Sequence, residues 1–130
     1  MNAPALQHIL YVEDDADIRT IARLALEAVG GYTLKVCASG QEALDAVSAG
    51  YRPDLILLDV MMPELDGPGT LSGLRKLAQT METPAVFMTA KVQAAEIAFY
   101  KSLGAIGVLA KPFDPMQLAG QVRGLWEGRE

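Results

Sequence analysis

The chain has 130 residues, 51% hydrophobic and 21% charged, which suits one domain with a real buried core and excludes a disordered chain. A formal net charge of −5 argues against direct nucleic-acid binding, which needs a basic face to displace counterions, and agrees with a cation or a basic protein surface as partner. The lone cysteine, Cys37, cannot close an internal disulfide; it sits in an apolar run, so a buried core thiol and a cytoplasmic location are expected.

Residues 1–7 are expected to form a flexible lead-in and residues 8–130 a single domain. The start, Met1-Asn2-Ala3-Pro4-Ala5, lacks the basic region and long apolar stretch of a secretory signal. No apolar run approaches the roughly 18–20 residues of a membrane span.

The first short apolar run is Ile9-Leu10-Tyr11-Val12. After it, Ile18, Ile21, Ala22, Ala25, Leu26 and Val29 recur at three and four residues, on one face of a helix that Gly30 and Gly31 end. The second run is Leu34-Lys35-Val36-Cys37-Ala38; Ser39-Gly40-Gln41-Glu42 then opens a helix as a capping box, and Gly50 closes it. The third run, Leu55-Ile56-Leu57-Leu58, precedes a helix expected from about Gly67 to about Gln79. The fourth, Ala85-Val86-Phe87-Met88, precedes one from about Val92 to Leu103, with Gly104 as its stop. The fifth is Ile106-Gly107-Val108-Leu109-Ala110, followed by a helix with Asp114 as N-cap, Pro115 at its first position and Leu118, Val122, Leu125 and Trp126 inward. Short continuous runs suit strands buried on both faces. Five βα units with short loops predict an α/β fold, a doubly wound five-stranded parallel sheet with five helices.

In such a sheet, ligands bind beyond the carboxyl ends of the strands. Glu13, Asp14 and Asp15 follow the first run, Asp59 the third, Thr89 the fourth and Lys111 the fifth. Two unit charges ~4 Å apart repel by about 4 kcal/mol at an effective dielectric near 20, so one lysine offsets only part of a cluster of carboxylates. Either a carboxyl stays protonated or a hard divalent cation such as Mg2+ sits among the oxygens.

The acidic pair Glu13-Asp14, Asp59 in Asp59-Val60-Met61-Met62-Pro63, the later Asp66-Gly67, the pair Thr89-Ala90 and the run Lys111-Pro112-Phe113 resemble the receiver domains of two-component response regulators. The resemblance covers roughly residues 8–127; each piece alone is a common dipeptide or a single acid, but together they stand at five strand ends in the family's order. It implies a flavodoxin-like sheet of order 2-1-3-4-5, similar to the chemotaxis regulators, and a stand-alone domain. It further implies that Asp59 accepts a phosphoryl group from a phosphohistidine of a sensor histidine kinase or histidine phosphotransfer domain. Asp14 is then the direct Mg2+ ligand, Glu13 its acidic neighbour, Asp59 a further ligand and Met61 a ligand through its backbone carbonyl. Lys111 would pair with phosphoryl oxygens, Thr89 would donate its hydroxyl to one of them, and the Lys111–Pro112 bond would be cis. The implied protein is a signalling switch that catalyses only its own aspartyl phosphorylation and dephosphorylation. It would act on a downstream protein the sequence does not identify, through the fourth helix, fifth strand and fifth helix; a homodimer is left open.

Other expectations are plainer. Asp15 and Asp17 suit the acidic start of a helix, and Asp66 a turn or N-cap. His8 suits a solvated or capping position. Gly67-Pro68-Gly69-Thr70 lacks the Gly-Lys-Ser/Thr ending of a phosphate loop. The alternative function is a degenerate receiver that serves only as a protein-interaction module; a phosphatase with an aspartyl intermediate would need a second acid where Met61 stands. Two departures matter. Val108 occupies the position, three before Lys111, where many receivers carry an aromatic residue that moves with the threonine. Met61 and Lys91, each two residues past a site residue, are long enough to shield an acyl phosphate from water.

Overall fold

Apolar continuity and glycine punctuation together decide the architecture. The computed structural model describes residues 5–129. In chain order its elements are β1 (His8–Val12), α1 (Ala16–Arg23) running into a π-helical segment (Leu24–Val29), β2 (Thr33–Cys37), α2 (Gly40–Ser48), β3 (Leu55–Asp59), α3 (Gly67–Leu74), β4 (Ala85–Thr89), α4 (Ala94–Ser102), β5 (Ala105–Ala110) and α5 (Leu118–Glu127). The strands form one parallel sheet in the order β2-β1-β3-β4-β5. This is the expected doubly wound sheet.

Side-chain alternation sends each strand's residues to two cores. Ile9, Tyr11, Leu57, Val86, Met88 and Leu109 pack with Ala22, Ala25 and Leu26 of the first helical stretch and with Leu118, Val122 and Trp126 of α5. Leu10, Val12, Ile56, Leu58 and Phe87 pack on the other face with Ala43 and Val47 of α2 and Leu71 and Leu74 of α3. Strands β3 and β4 are buried throughout. The edge strands β2 and β5 instead alternate in exposure, because each has a neighbour on one side only.

Local signals hold at most element starts. The Asp15 carboxylate accepts from the amides of Asp17 and Ile18 at 2.9 and 3.1 Å, and Asp66 accepts from Gly69 N at 2.8 Å. Ser39 Oγ accepts from Glu42 N, while Glu42 reaches back to Ala38 N rather than to the cap residue's own amide. Asp54 accepts from the amides of Gln7 and His8, and Leu6 is buried. Of the expected lead-in, residues 1–4 lie outside the described residues.

Two helix boundaries, the end of α3 and the start of α5, differ from the sequence expectation, while the first helix ends before Gly30 as expected but changes its winding. The first helix widens into a π segment, with Gly30 N bonded to Ala25 O; Ile21 and Val29, expected on the inner face, are 44% and 51% exposed. Helix α3 stops at Leu74 instead of near Gln79: the Thr80 hydroxyl takes the Leu74 carbonyl, and the Arg75 guanidinium folds onto the Thr80 and Thr83 carbonyls. Helix α5 begins at Leu118, not Pro115, because Asp114 first closes a tight turn, accepting from Met116 N on its side chain and from Gln117 N on its carbonyl.

Gly67 fixes the start of α3 against the end of β3. A Cβ there would lie 2.6 Å from Asp59 O and 2.9 Å from Val60 Cα, and neither backbone atom can give way alone. Gly67→Ala is expected to cost about 2 kcal/mol, as overpacking typically does. Gly120→Ala, where a Cβ meets nothing within 4 Å, is expected to be neutral or to stabilise by up to ~1 kcal/mol. Urea unfolding midpoints of the two variants check the contrast.

Candidate functional site

The register of the sheet brings the strand ends to one edge. Val12 pairs with Leu58 and Asp59 with Met88, so Glu13 and Asp59 leave adjacent strands side by side. Thr89 pairs with Ala110, and Lys111 N bonds to Thr89 O at 2.9 Å, which sets Lys111 just past that edge. The Lys111–Pro112 peptide is cis.

Three carboxylates converge there. One oxygen each from Glu13, Asp14 and Asp59 lies within 4.8 Å of the others, with Glu13 and Asp59 buried and Asp14 exposed. Lys111 Nζ donates to Glu13 Oε1 at 2.8 Å and to Asp59 Oδ1 at 3.0 Å. The pairs are shielded from water: side-chain exposure is 18% for the lysine, 1% for Glu13 and 3% for Asp59. Charge balance is incomplete, with one ammonium for three acids.

The titration behaviour follows from this crowding. Burial, opposed by the Lys111 hydrogen bond, pushes the Glu13 carboxyl up to about 7. Burial likewise holds Asp59 above its usual range against the pull of Lys111. For Lys111, burial alone would lower the ammonium, but its hydrogen bonds to Glu13 and Asp59 outweigh that and hold it above its usual range.

Thr89 is buried, and its Oγ accepts from Lys91 N at 3.2 Å. The loop that follows lines an open cleft of about 530 Å³ through Ala90, Lys91, Val92, Gln93 and Glu96. Met61 is 78% exposed. Val108 pairs with Phe87 on β4 and is half-buried. Cys37 is buried and its thiol is pushed up to about 11, chiefly by that burial, which makes it inert. Asp15 and Asp66 serve as helix caps, and His8 is exposed at the start of β1.

The sequence did not single out Arg19. Its Nη1 donates to the Glu13 carbonyl at 2.8 Å, bracing the main chain of the acidic pair from the first turns of α1. Only the six-residue gap between the two on a capped helix start hints at this contact.

In the absence of a divalent cation, Glu13 binds its proton more tightly folded than unfolded, since it titrates near 7 instead of the ordinary 4.5. Between those values the folded state carries more protons, so stability falls as pH rises through that window. Urea unfolding with a chelator present should give a higher midpoint near about pH 5 than near about pH 8, and Glu13→Gln should shrink that difference, leaving the contribution of Asp59. An unchanged difference in the variant contradicts this assignment.

Comparison with known proteins agrees with this geometry. The response regulator receiver domain family matches residues 9–123. The chain is 35% identical over 120 residues to the transcriptional regulatory protein CpxR of Escherichia coli K12, covering 92% of this chain and 49% of that one. It is 35% identical over 116 residues to the transcriptional regulatory protein CseB of Streptomyces avermitilis, covering 89% and 47%; the chain thus spans about half the length of these curated relatives. Among solved structures, the chemotaxis response regulator CheY4 of Vibrio cholerae superposes with a TM-score of 0.83 at 30% identity, covering 93% of this chain and 99% of that one. The receiver domain of the Francisella response regulator 1452 gives 0.80 at 30% identity, covering 92% and 96%. With its sheet order, its acidic strand-end cluster and these matches, the chain belongs to the response regulator receiver domains of two-component systems.

Proposed function

We propose that this receiver is switched by phosphorylation of Asp59, taking the phosphoryl group from a phosphohistidine on a sensor histidine kinase or a histidine phosphotransfer domain. The observation that carries the reading is the Lys111 ammonium bridging the buried carboxylates of Glu13 and Asp59. An Asp59 oxygen attacks phosphorus, a P–O bond forms, the P–N bond breaks, and the imidazole leaves with the bonding pair. The product is an acyl phosphate. Lys111 stays beside the incoming oxygens as a point charge, and the Thr89 hydroxyl turns from accepting the Lys91 amide to donating to one phosphoryl oxygen.

The donor set suits Mg2+: all ligands are hard oxygens, the cluster carries surplus negative charge, and its oxygens lie within 4.8 Å of one another. Asp14, Asp59 and the Met61 backbone carbonyl would hold the ion directly, with Glu13 beside it. Bound there, it would supply charge neutralisation for the phosphoryl oxygens.

The output is a population shift between two arrangements of the β4–α4 region. Val108 offers no ring to move, so the change passes from Thr89 through the Lys91 amide into the loop and α4. Phe99, Leu103 and Val92 stand 54%, 38% and 39% exposed on and around that helix, which supports this side of the molecule as the contact face for a downstream protein. No helix among the described residues is long and apolar enough to cross a membrane; action in the cytoplasm is part of the proposal. A role as an interaction module without phosphorylation is the competing reading, and no departure from the expected site residues favours it.

A small acyl-phosphate donor with Mg2+ is expected to add the mass of one phosphoryl group to the wild type and none to Asp59→Asn. Lys111→Ala is expected to slow the reaction on the order of 10²-fold, as loss of one charge-stabilising group does. Addition to Asp59→Asn at the wild-type rate would overturn the assignment.

Met61 and Lys91 border the in-line path of water to the acyl phosphate, and both are exposed. Met61→Ala and Lys91→Ala are expected to lose phosphate faster than the wild type in a decay assay by phosphate-affinity gel. Slower loss in either variant would reject the shielding role.

A further inference from the structure

Tyr11 is fully buried, and among the described residues its hydroxyl makes no hydrogen bond to another protein group. A buried O–H without an acceptor is costly, and native structures rarely leave one without a reason. The residue's place in the sheet supplies one. Tyr11 and Leu57 are register partners on β1 and β3; two residues further along each strand, on the same face, stand Glu13 and Asp59. The phenol therefore lies one layer beneath the two buried carboxylates.

The charges that bear on this hydroxyl are, in order, Glu13, Asp59, Arg19 and Asp15, all at the carboxyl edge of the sheet. A phenol offers one O–H donor. Glu13 has capacity to receive it. Its Oε1 accepts one bond from Lys111 and its Oε2 one from Asp15 N, and a carboxylate offers about four lone-pair sites in all. Its main chain is already braced by Arg19, so a turn toward a cation is a movement of the side chain.

We infer that Tyr11 is a positioning residue for Glu13: its hydroxyl is the donor that holds the Glu13 carboxylate, directly or across one buried water, when that carboxylate turns toward a bound cation. In the structure Lys111 occupies Glu13 Oε1. As the lysine side chain swings toward phosphoryl oxygens, Glu13 loses a donor and Tyr11 supplies one from below. The inference rests on the proposed Mg2+ site at the same edge.

The test compares the wild type with Tyr11→Phe, which removes one oxygen and keeps the ring. In chelator, the variant is expected to unfold at the same urea concentration as the wild type or higher, since it deletes an unpaired donor. In a calorimetric Mg2+ titration it is expected to bind roughly three- to tenfold more weakly, the worth of one hydrogen bond. The carboxyl ¹³C resonance of Glu13 should move less on Mg2+ addition in the variant than in the wild type. Equal Mg2+ affinity and equal Glu13 shifts would overturn the role of Tyr11 while leaving the cation site intact. A variant that is less stable in chelator with unchanged Mg2+ affinity would mark Tyr11 as core packing only and would equally overturn it. Failure of the wild type itself to bind Mg2+ would overturn the site reading, and this inference with it.

Discussion

One ammonium set between two buried carboxylates is the contact on which this site depends. Lys111 stands 2.8 Å from Glu13 and 3.0 Å from Asp59, and without it two acids would share a water-poor edge with a third beside them. Removing one partner of such a buried set leaves uncompensated charge, which is far more costly than losing a surface pair. The set also remains one positive charge short of neutrality for the two acids and two short for the three. That deficit is a functional property. Burial is what chiefly raises the proton affinity of Glu13, with the neighbouring Asp59 charge adding to it, and the deficit favours a divalent cation that restores balance.

The fold exists to hold that imbalance in place. Strands β3 and β4 are buried along their whole length, so the edge carrying Asp59 and Thr89 is anchored by two apolar cores. Gly67 lets α3 start directly against the Asp59 carbonyl, and Lys111 is tied to β4 through its own amide. Past Thr89 the β4–α4 loop is exposed, and among the described residues the Thr89 hydroxyl accepts from the Lys91 amide. The acid side of the site is thus packed between two cores, whereas the threonine side opens onto an exposed loop.

Much of this was legible in the sequence, for a physical reason. Parallel strands buried on two faces read as unbroken apolar runs, and the residue after each run lands on one edge; Glu13, Asp14, Asp59, Thr89 and Lys111 could therefore be gathered without coordinates. The caps at Asp15, Ser39 and Asp66 are local and read equally well. Features that depend on one particular side chain taking a backbone group, or on a change of helix winding, did not. The π segment rotates Val29 out to solvent, the Thr80 and Arg75 contacts stop α3 early, and the Asp114 turn delays α5. Arg19 and Tyr11 escaped notice because an arginine on a helix and a tyrosine in a strand are ordinary residues. Only the structure shows the hydrogen bond by which one braces Glu13 and the strand register that sets the other beneath it.

The central claim is that residues at the ends of three strands, β1, β3 and β5, form one cation-binding cluster with its lysine. A Mg2+ titration of the full chain, followed by backbone amide resonances, tests it most directly. Saturable shifts concentrated at residues 13–15, 59–61 and 111 are predicted, with smaller ones spreading to Thr89 and Lys91. Saturation without change at those positions, or no saturable change at all, would contradict it.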